Sequence, residues 1–209
     1  MQYLLNDQLK ARVLATREVI NKTAETTLTT VKEILEEFNV SLNNIIFVSD
    51  NASAMISAFK DLNWLGCASH NLNLVQKHAF DGILETKYLK QVFDLLVHSK
   101  DLVKLSKQSG FQHYFKEKTL KQMVEVLWDS RVDMLESIHE NFTELRRMAL
   151  DKEKIEYHMM YIKEPLLTNL INLLKPLKKA RVELCSETSP TLNLVLPTKV
   201  HLMISLLKY

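Results

Sequence analysis

Apolar residues recur at two different periods along the chain, and the period changes near residue 88. Before that point short β-like runs alternate with helical stretches, the order that favours a sheet with crossover helices. Leu9 to Val19, with Val13, Ala15 and Arg17 alternating, reads as a strand. Residues 24–38 then place Ala24, Leu28, Val31, Leu35 and Phe38 on one helical face. A polar connection from Asn39 to Asn44 leads into Ile45-Ile46-Phe47-Val48, whose β-branched and aromatic side chains suit a strand buried on both faces. Asp50 sits where that strand ends. A helix over 52–62, a short strand around Leu65-Gly66-Cys67 and a helix from His70 or Asn71 complete this part.

From about residue 88 to 185 the pattern is helical, with Gly110 the clear interruption before Pro165. Pro190 and Pro197 then flank Leu192-Asn193-Leu194-Val195, and an apolar helical start from Val200 to Leu207 stops in mid-pattern, so the fold is expected to continue past Tyr209. The fold class that follows is α/β plus all-α.

Composition narrows the options without choosing among them. A chain of 209 residues with 46% hydrophobic and 25% charged residues, three Gly and four Pro is that of a folded, helix-rich protein rather than a disordered one. The net charge of +2 decides nothing about partners, but it conceals a local contrast. Residues 87–121 hold eight Lys against three acidic residues, whereas 122–164 hold ten acidic against six basic. Two cysteines, Cys67 and Cys185, do not make a disulfide framework, and no signal-peptide core opens the chain, which together predict an intracellular, reduced protein. No apolar run reaches the ~18 residues that a membrane helix needs, so no membrane partner is expected.

Four segments could carry chemistry, and each has a plainer alternative. Asp50 at the end of a strand is where α/β folds place ligands and catalytic groups, and a metal-binding Asp suits the position. Alternatively Asp50 or Asn51 caps the next helix. Cys67-Ala68-Ser69-His70 has the spacing of a zinc half-site, but no second Cys/His pair stands at comparable spacing. Its alternative is a buried Cys beside a His that bonds the backbone, with Leu72 and Val75 as core. Trp128, among the charges of Trp128-Asp129-Ser130-Arg131, could stack on an unpaired base or fill volume in a core. The lysine-rich stretch with Lys100, Lys104 and Lys107 could follow a phosphate backbone or be a solvated helix face.

Taken in order, these segments resemble the hAT superfamily of DNA transposases and its domesticated BED-zinc-finger relatives. Ile46-Phe47-Val48-Ser49-Asp50-Asn51-Ala52-Ser53-Ala54-Met55 is similar to the family's hydrophobic run followed by TDNAxNM, which holds its second catalytic Asp. Cys67-Ala68-Ser69-His70-Asn71-Leu72-Asn73-Leu74 is similar to its C-x-x-H-x-L-N-L motif. Trp128 to Leu135 is similar to the R-W-N-S-x-x-x-M-L segment, with Leu127 where the Arg usually stands. Pro190 to Pro197 is similar to its P-T-L-x-x-V-x-P stretch.

The resemblance implies a partial RNase H-like mixed sheet with helices over 1–87, a helical insertion domain over 88–190 and the start of a return to the core over 191–209. It implies two divalent metals, Mg2+ or Mn2+, held by two Asp and a Glu, which activate water or a 3′-hydroxyl against a DNA phosphodiester. Asp50 matches the second Asp and is the catalytic and metal-ligand candidate. Cys67, His70 and Asn71 would support the active site and DNA, and Trp128 and Arg131 would serve the flipped base and its surroundings. The possible backbone contacts of Lys100, Lys104 and Lys107 rest on the lysine pattern instead. The first Asp is expected upstream of the segments seen here and the Glu beyond Tyr209. Two metals about 4 Å apart are not held by Asp50 alone, so a stably bound metal and DNA cleavage are not expected of this chain by itself. A nuclear location, DNA as partner and a possible homo-oligomer follow from the resemblance. The alternative is a domesticated, non-catalytic DNA-binding or protein-interaction module.

Overall fold

The computed structural model describes residues 1–85, 89–115, 119–124, 129–185 and 191–208. The chain divides into a unit formed by Met1–Leu74 with Arg181–Thr198, and a second formed by Val75–Ala180 with Lys199–Tyr209. The structure is mostly helical with two small sheets, a mixture compatible with the α/β and all-α classes read from the sequence. Among the described residues no helix is long and apolar enough to cross a membrane.

The first unit opens with a hairpin, β1 (Gln2–Leu5) against β2 (Gln8–Ala11), in the register Gln2↔Ala11 to Leu5↔Gln8. Its two-residue turn, Asn6-Asp7, has φ of 51° and 58°. Asn and Asp accept this left-handed backbone more readily than most residues, and the turn's twist matches that of the strands. The strand expected from Leu9 to Val19 therefore covers only its first residues. The alternation past Arg12 finds no pairing partner, and residues 12–23 have no regular structure.

α1 (Ala24–Glu37) covers the helix expected over 24–38. Thr23 caps it, its hydroxyl accepting from the Thr26 amide at 3.2 Å. The helix closes with Asn39 at φ 53° and bonds from Asn39 N to Glu36 O and from Val40 N to Leu35 O, a Schellman ending that a left-handed Asn permits. After a short 3-10 turn, β3 (Phe47–Ser49), α2 (Ser53–Phe59) and β4 (Trp64–Gly66) form a parallel strand pair joined through a helix. α1 packs on α2. Phe47 stacks on Phe59 of α2 with centroids 4.8 Å apart.

The expectation that Ile45 to Val48 is buried on both faces is corrected here. Alternation points Phe47 toward α2, while Ile46 and Val48 are 59% and 64% exposed. Only two strands pair in this sheet among the described residues, and no described element covers its outer face.

The second unit is helical: the C-terminal part of α3 (Ala68–Glu85), α4 (Lys90–Gln108), α5 (Asp129–Glu140), α6 (Phe142–Ala149), α7 (Glu153–Met159), most of α8 (Glu164–Leu184) and the end of α9 (Val195–Leu206). Leu95, Leu102, Met134, Leu135, Ile138, Leu145 and Leu167 are fully buried in it. Lys178 fastens α8 to α5, donating to Asp133 at 2.5 Å and Glu136 at 3.0 Å. Burial alone would lower the Lys178 pKa, but these two carboxylates raise it on balance. Gly110, at φ 67° just past α4, ends that helix where the sequence shows its interruption.

Candidate functional site

In the first unit the ends of β3 and β4 and the start of α3 converge, and each is placed by a local bond. Cys67 N donates to Ser49 O at 2.7 Å, extending the parallel ladder one step past Gly66. The Trp64 indole donates to the Ser49 hydroxyl at 2.9 Å, which in turn donates to the Asp50 carbonyl at 2.8 Å. Asp50 is thereby fixed at the strand's exit with its side chain exposed. Its Oδ1 accepts from the Ala52 amide at 3.1 Å, a side-chain turn that starts the approach to α2.

Neither side of the capping alternative holds as stated. The N-cap of α2 is Ala52, without a side-chain bond, and Asn51 turns the other way. Asn51 Nδ2 donates to Asn71 Oδ1 on the first turn of α3. The Asn51 side chain lies against Gly66, where a Cβ would come within 2.5 Å of its Oδ1. Gly66 therefore has no side chain because Asn51 occupies the space. Asn51, Gly66 and Asn71 together lock the two strand ends to α3.

α3 begins at Ala68, two or three residues before the expected start, so His70 and Asn71 lie in its first turn. Ser69, 7% exposed, is 2.8 Å through its hydroxyl from Cys185 Sγ, and the Arg181 guanidinium donates to the same sulfur at 3.8 Å. Both cysteines are free.

The candidates fall into two sets. Asp50, Cys67, His70 and Asn71 lie in the first unit, around one junction. Arg131, Lys100, Lys104 and Lys107 lie in the second. Arg131, on α5, sits over the Phe80 ring at 4.0 Å. Lys100, Lys104 and Lys107 are exposed on α4, within an arc of about 60° at 100° per residue. The buried Leu95 and Leu102 occupy the other side of that helix, and the buried Val103 borders the lysine arc. Lys107 donates to Gln122 at 3.0 Å. Trp128 lies outside the described residues.

Asn51 and Gly66 stand inside the motifs, yet their pairing is not apparent from the sequence. A Gly at a strand end between Leu65 and Cys67 is the one available signal, since such glycines often mark a close approach. The donor set at the junction does not fit a two-metal centre. Asp50 is its one carboxylate ligand candidate, and among the described residues no group of three or more His, Cys, Asp or Glu could hold a metal ion. What the junction offers is an exposed carboxylate at a strand end, bonded to the Ala52 amide, with the Asn51–Asn71 pair tying the next residue to α3.

The comparisons with known proteins support a transposase-derived origin. No protein-family profile matches the chain. It is similar to the hobo transposase of Drosophila melanogaster, 29% identical over 177 residues that cover 84% of this chain and 26% of that protein. It is similar also to zinc finger protein 618 of Homo sapiens and of Mus musculus, 30% identical over 179 residues in each case. Those 179 residues cover 82% of this chain and 18% of either zinc finger protein. The chain thus spans 18–26% of the length of the curated relatives it matches.

Proposed function

We propose that this chain is a transposase-derived DNA-binding module of hAT type, with a partial RNase H-like core and a helical insertion, that does not cut DNA by itself. The single observation that carries the binding role is the lysine face of α4. Lys100, Lys104 and Lys107 share one exposed arc, backed by a fully buried one, so the helix can lie along a phosphate backbone without repacking. Similarity to a transposase over most of the chain supports DNA as the polyanion. Asp50, Cys67, His70 and Asn71 keep the roles the resemblance gives them at the junction, and Trp128 and Arg131 keep theirs in the helical part of the chain. Asp50 would contribute one ligand to Mg2+ or Mn2+, and the donor set around it does not complete a two-metal site. A nuclear location accords with this reading, and so does self-association of the kind transposases use.

The test is binding of the chain to a labelled DNA duplex, compared with the Lys100→Glu, Lys104→Glu, Lys107→Glu triple variant. Weakened binding at low salt that converges with the variant at high salt supports the reading. Identical binding by the two proteins would remove the lysine face from it. Metal-dependent nicking that disappears in Asp50→Ala would overturn the non-cutting part.

A second reading, a protein-interaction module, is favoured by one feature of the helical unit. A groove of about 530 Å³, lined by Phe142, Leu150, Met159, Met160 and Pro165 and also by the charged Arg146, Glu156, Lys163 and Glu164, leaves Leu150 86% exposed. Apolar area of this kind on one face marks a contact surface when it is contiguous.

A further inference from the structure

The helical unit holds a second group of chemistry-bearing side chains, which none of the motifs includes. His98 on α4 and His158 on α7 face each other with their Nδ1 atoms 3.0 Å apart. Tyr161 stacks flat on the His98 ring, 3.9 Å between centroids and 3° between planes. Tyr157 meets both imidazoles near-perpendicularly, each at 5.4 Å. Both histidines are half-buried and their two helices pack directly on each other. The rings are therefore held in place by their neighbours and by two rigid backbones.

An Nδ1 to Nδ1 hydrogen bond needs one ring protonated at that atom and the other bare. Burial, and then the neighbouring His98, hold the His158 pKa below the usual histidine value, with Asp101 opposing. The His158 ring thus keeps a lone pair available near neutral pH. A tetrahedral ion bonded to both Nδ1 atoms at about 2.0–2.1 Å would set them about 3.3 Å apart, a few tenths of an ångström wider than observed.

We propose that His98 and His158 form a two-histidine clamp for a divalent late transition ion such as Zn2+ or Cu2+. Imidazole nitrogens favour these ions over Mg2+ and Ca2+, which take oxygen ligands. Because no third His, Cys, Asp or Glu joins such a group among the described residues, water or a small anion fills the other positions and the ion remains exchangeable. On binding, the donating ring moves its proton from Nδ1 to Nε2 by exchange with water, and both Nδ1 lone pairs pass to the ion. No proton is lost from the neutral pair. The ion would join α4 to α7 and stabilise the helical unit, independently of Asp50 and of any DNA contact.

Calorimetric titration of the chain with ZnCl2, CuCl2 and MgCl2, each paired with thermal unfolding, tests this. The expected result is one transition ion per chain, Cu2+ tighter than Zn2+, no response to Mg2+, and an unfolding temperature that rises with ion concentration. His98→Phe keeps a ring for Tyr161 to stack on while removing the donor, and His158→Gln keeps a polar group of similar length. Either should weaken Zn2+ binding about tenfold or more, since even outer-shell changes act on that scale. His139→Ala, outside the cluster, should bind as the wild type does. No Zn2+ binding by the wild type, or unchanged binding in the His98→Phe, His158→Gln double variant, would overturn the clamp.

Discussion

Replacing Gly66 by Ala probes the junction at its tightest point. A Cβ there would stand 2.5 Å from Asn51 Oδ1 and 3.5 Å from Asn51 Cγ. The Asn51 side chain must swing aside, and its bond to Asn71 is lost with it. The lost hydrogen bond costs about 0.5–1.5 kcal/mol, and crowding in a packed site adds about 1–3 kcal/mol. Ala is better than Gly within a strand by about 0.5–1 kcal/mol, which offsets part of this. The net expectation is a destabilisation of the first unit by about 1–3 kcal/mol. Urea unfolding read by Trp64 fluorescence measures it, in a Trp128→Phe background because the chain has two tryptophans. The reasoning is specific enough to require a second result. In Asn51→Ala, where the opposing oxygen is gone, Gly66→Ala should be neutral or slightly stabilising. Equal costs in both backgrounds, or no cost in the first, would refute the lock.

Other perturbations address the two units separately. Thr23→Ala removes the α1 cap and should cost about 1 kcal/mol in the first unit, read from the same urea transition. Leu102, fully buried on α4, should cost about 2–5 kcal/mol when changed to Ala, measured by the loss of helical circular dichroism in the helical unit. The lowered His158 pKa means the unfolded chain binds a proton first as pH falls, so stability should decline below the unfolded value of 6.5. Thermal unfolding between pH 7.5 and 5 should show that decline, and His158→Gln should flatten it. The raised Lys178 pKa has the opposite sense. Its stabilisation is present below the ordinary value of 10.5 and is lost as pH rises through the higher folded value, a loss that Lys178→Met should abolish in alkaline titration.

Much of the local architecture was legible because short-range chemistry sets it. The helix over 24–38 announces itself by an apolar stripe, and Asp50 falls at a strand exit as the run Ile46 to Ser49 implies. Gly110 ends α4 because it accepts a left-handed backbone. The failures have a common cause in non-local pairing. Alternation continues past Ala11, but a strand needs a partner, and β1 is only four residues long. The run of Ile46, Phe47 and Val48 looks doubly buried because hydrophobicity says nothing about how many strands or layers are present to cover it. Asn51, Gly66 and Asn71 meet across three elements, and His98 meets His158 across 60 residues. Neither spacing forms a periodic or motif-like pattern, so such sites appear only once the chain is folded.

The most direct test of DNA binding through the α4 lysine face is the salt dependence of duplex affinity. Each phosphate contact contributes a slope of about −0.9 in log K against log salt concentration. If Lys100, Lys104 and Lys107 all lie on the backbone, their removal to Glu or Gln should reduce the wild-type slope by about 2–3. A slope near zero in the wild type, or one that is unchanged by the three substitutions, would contradict the assignment.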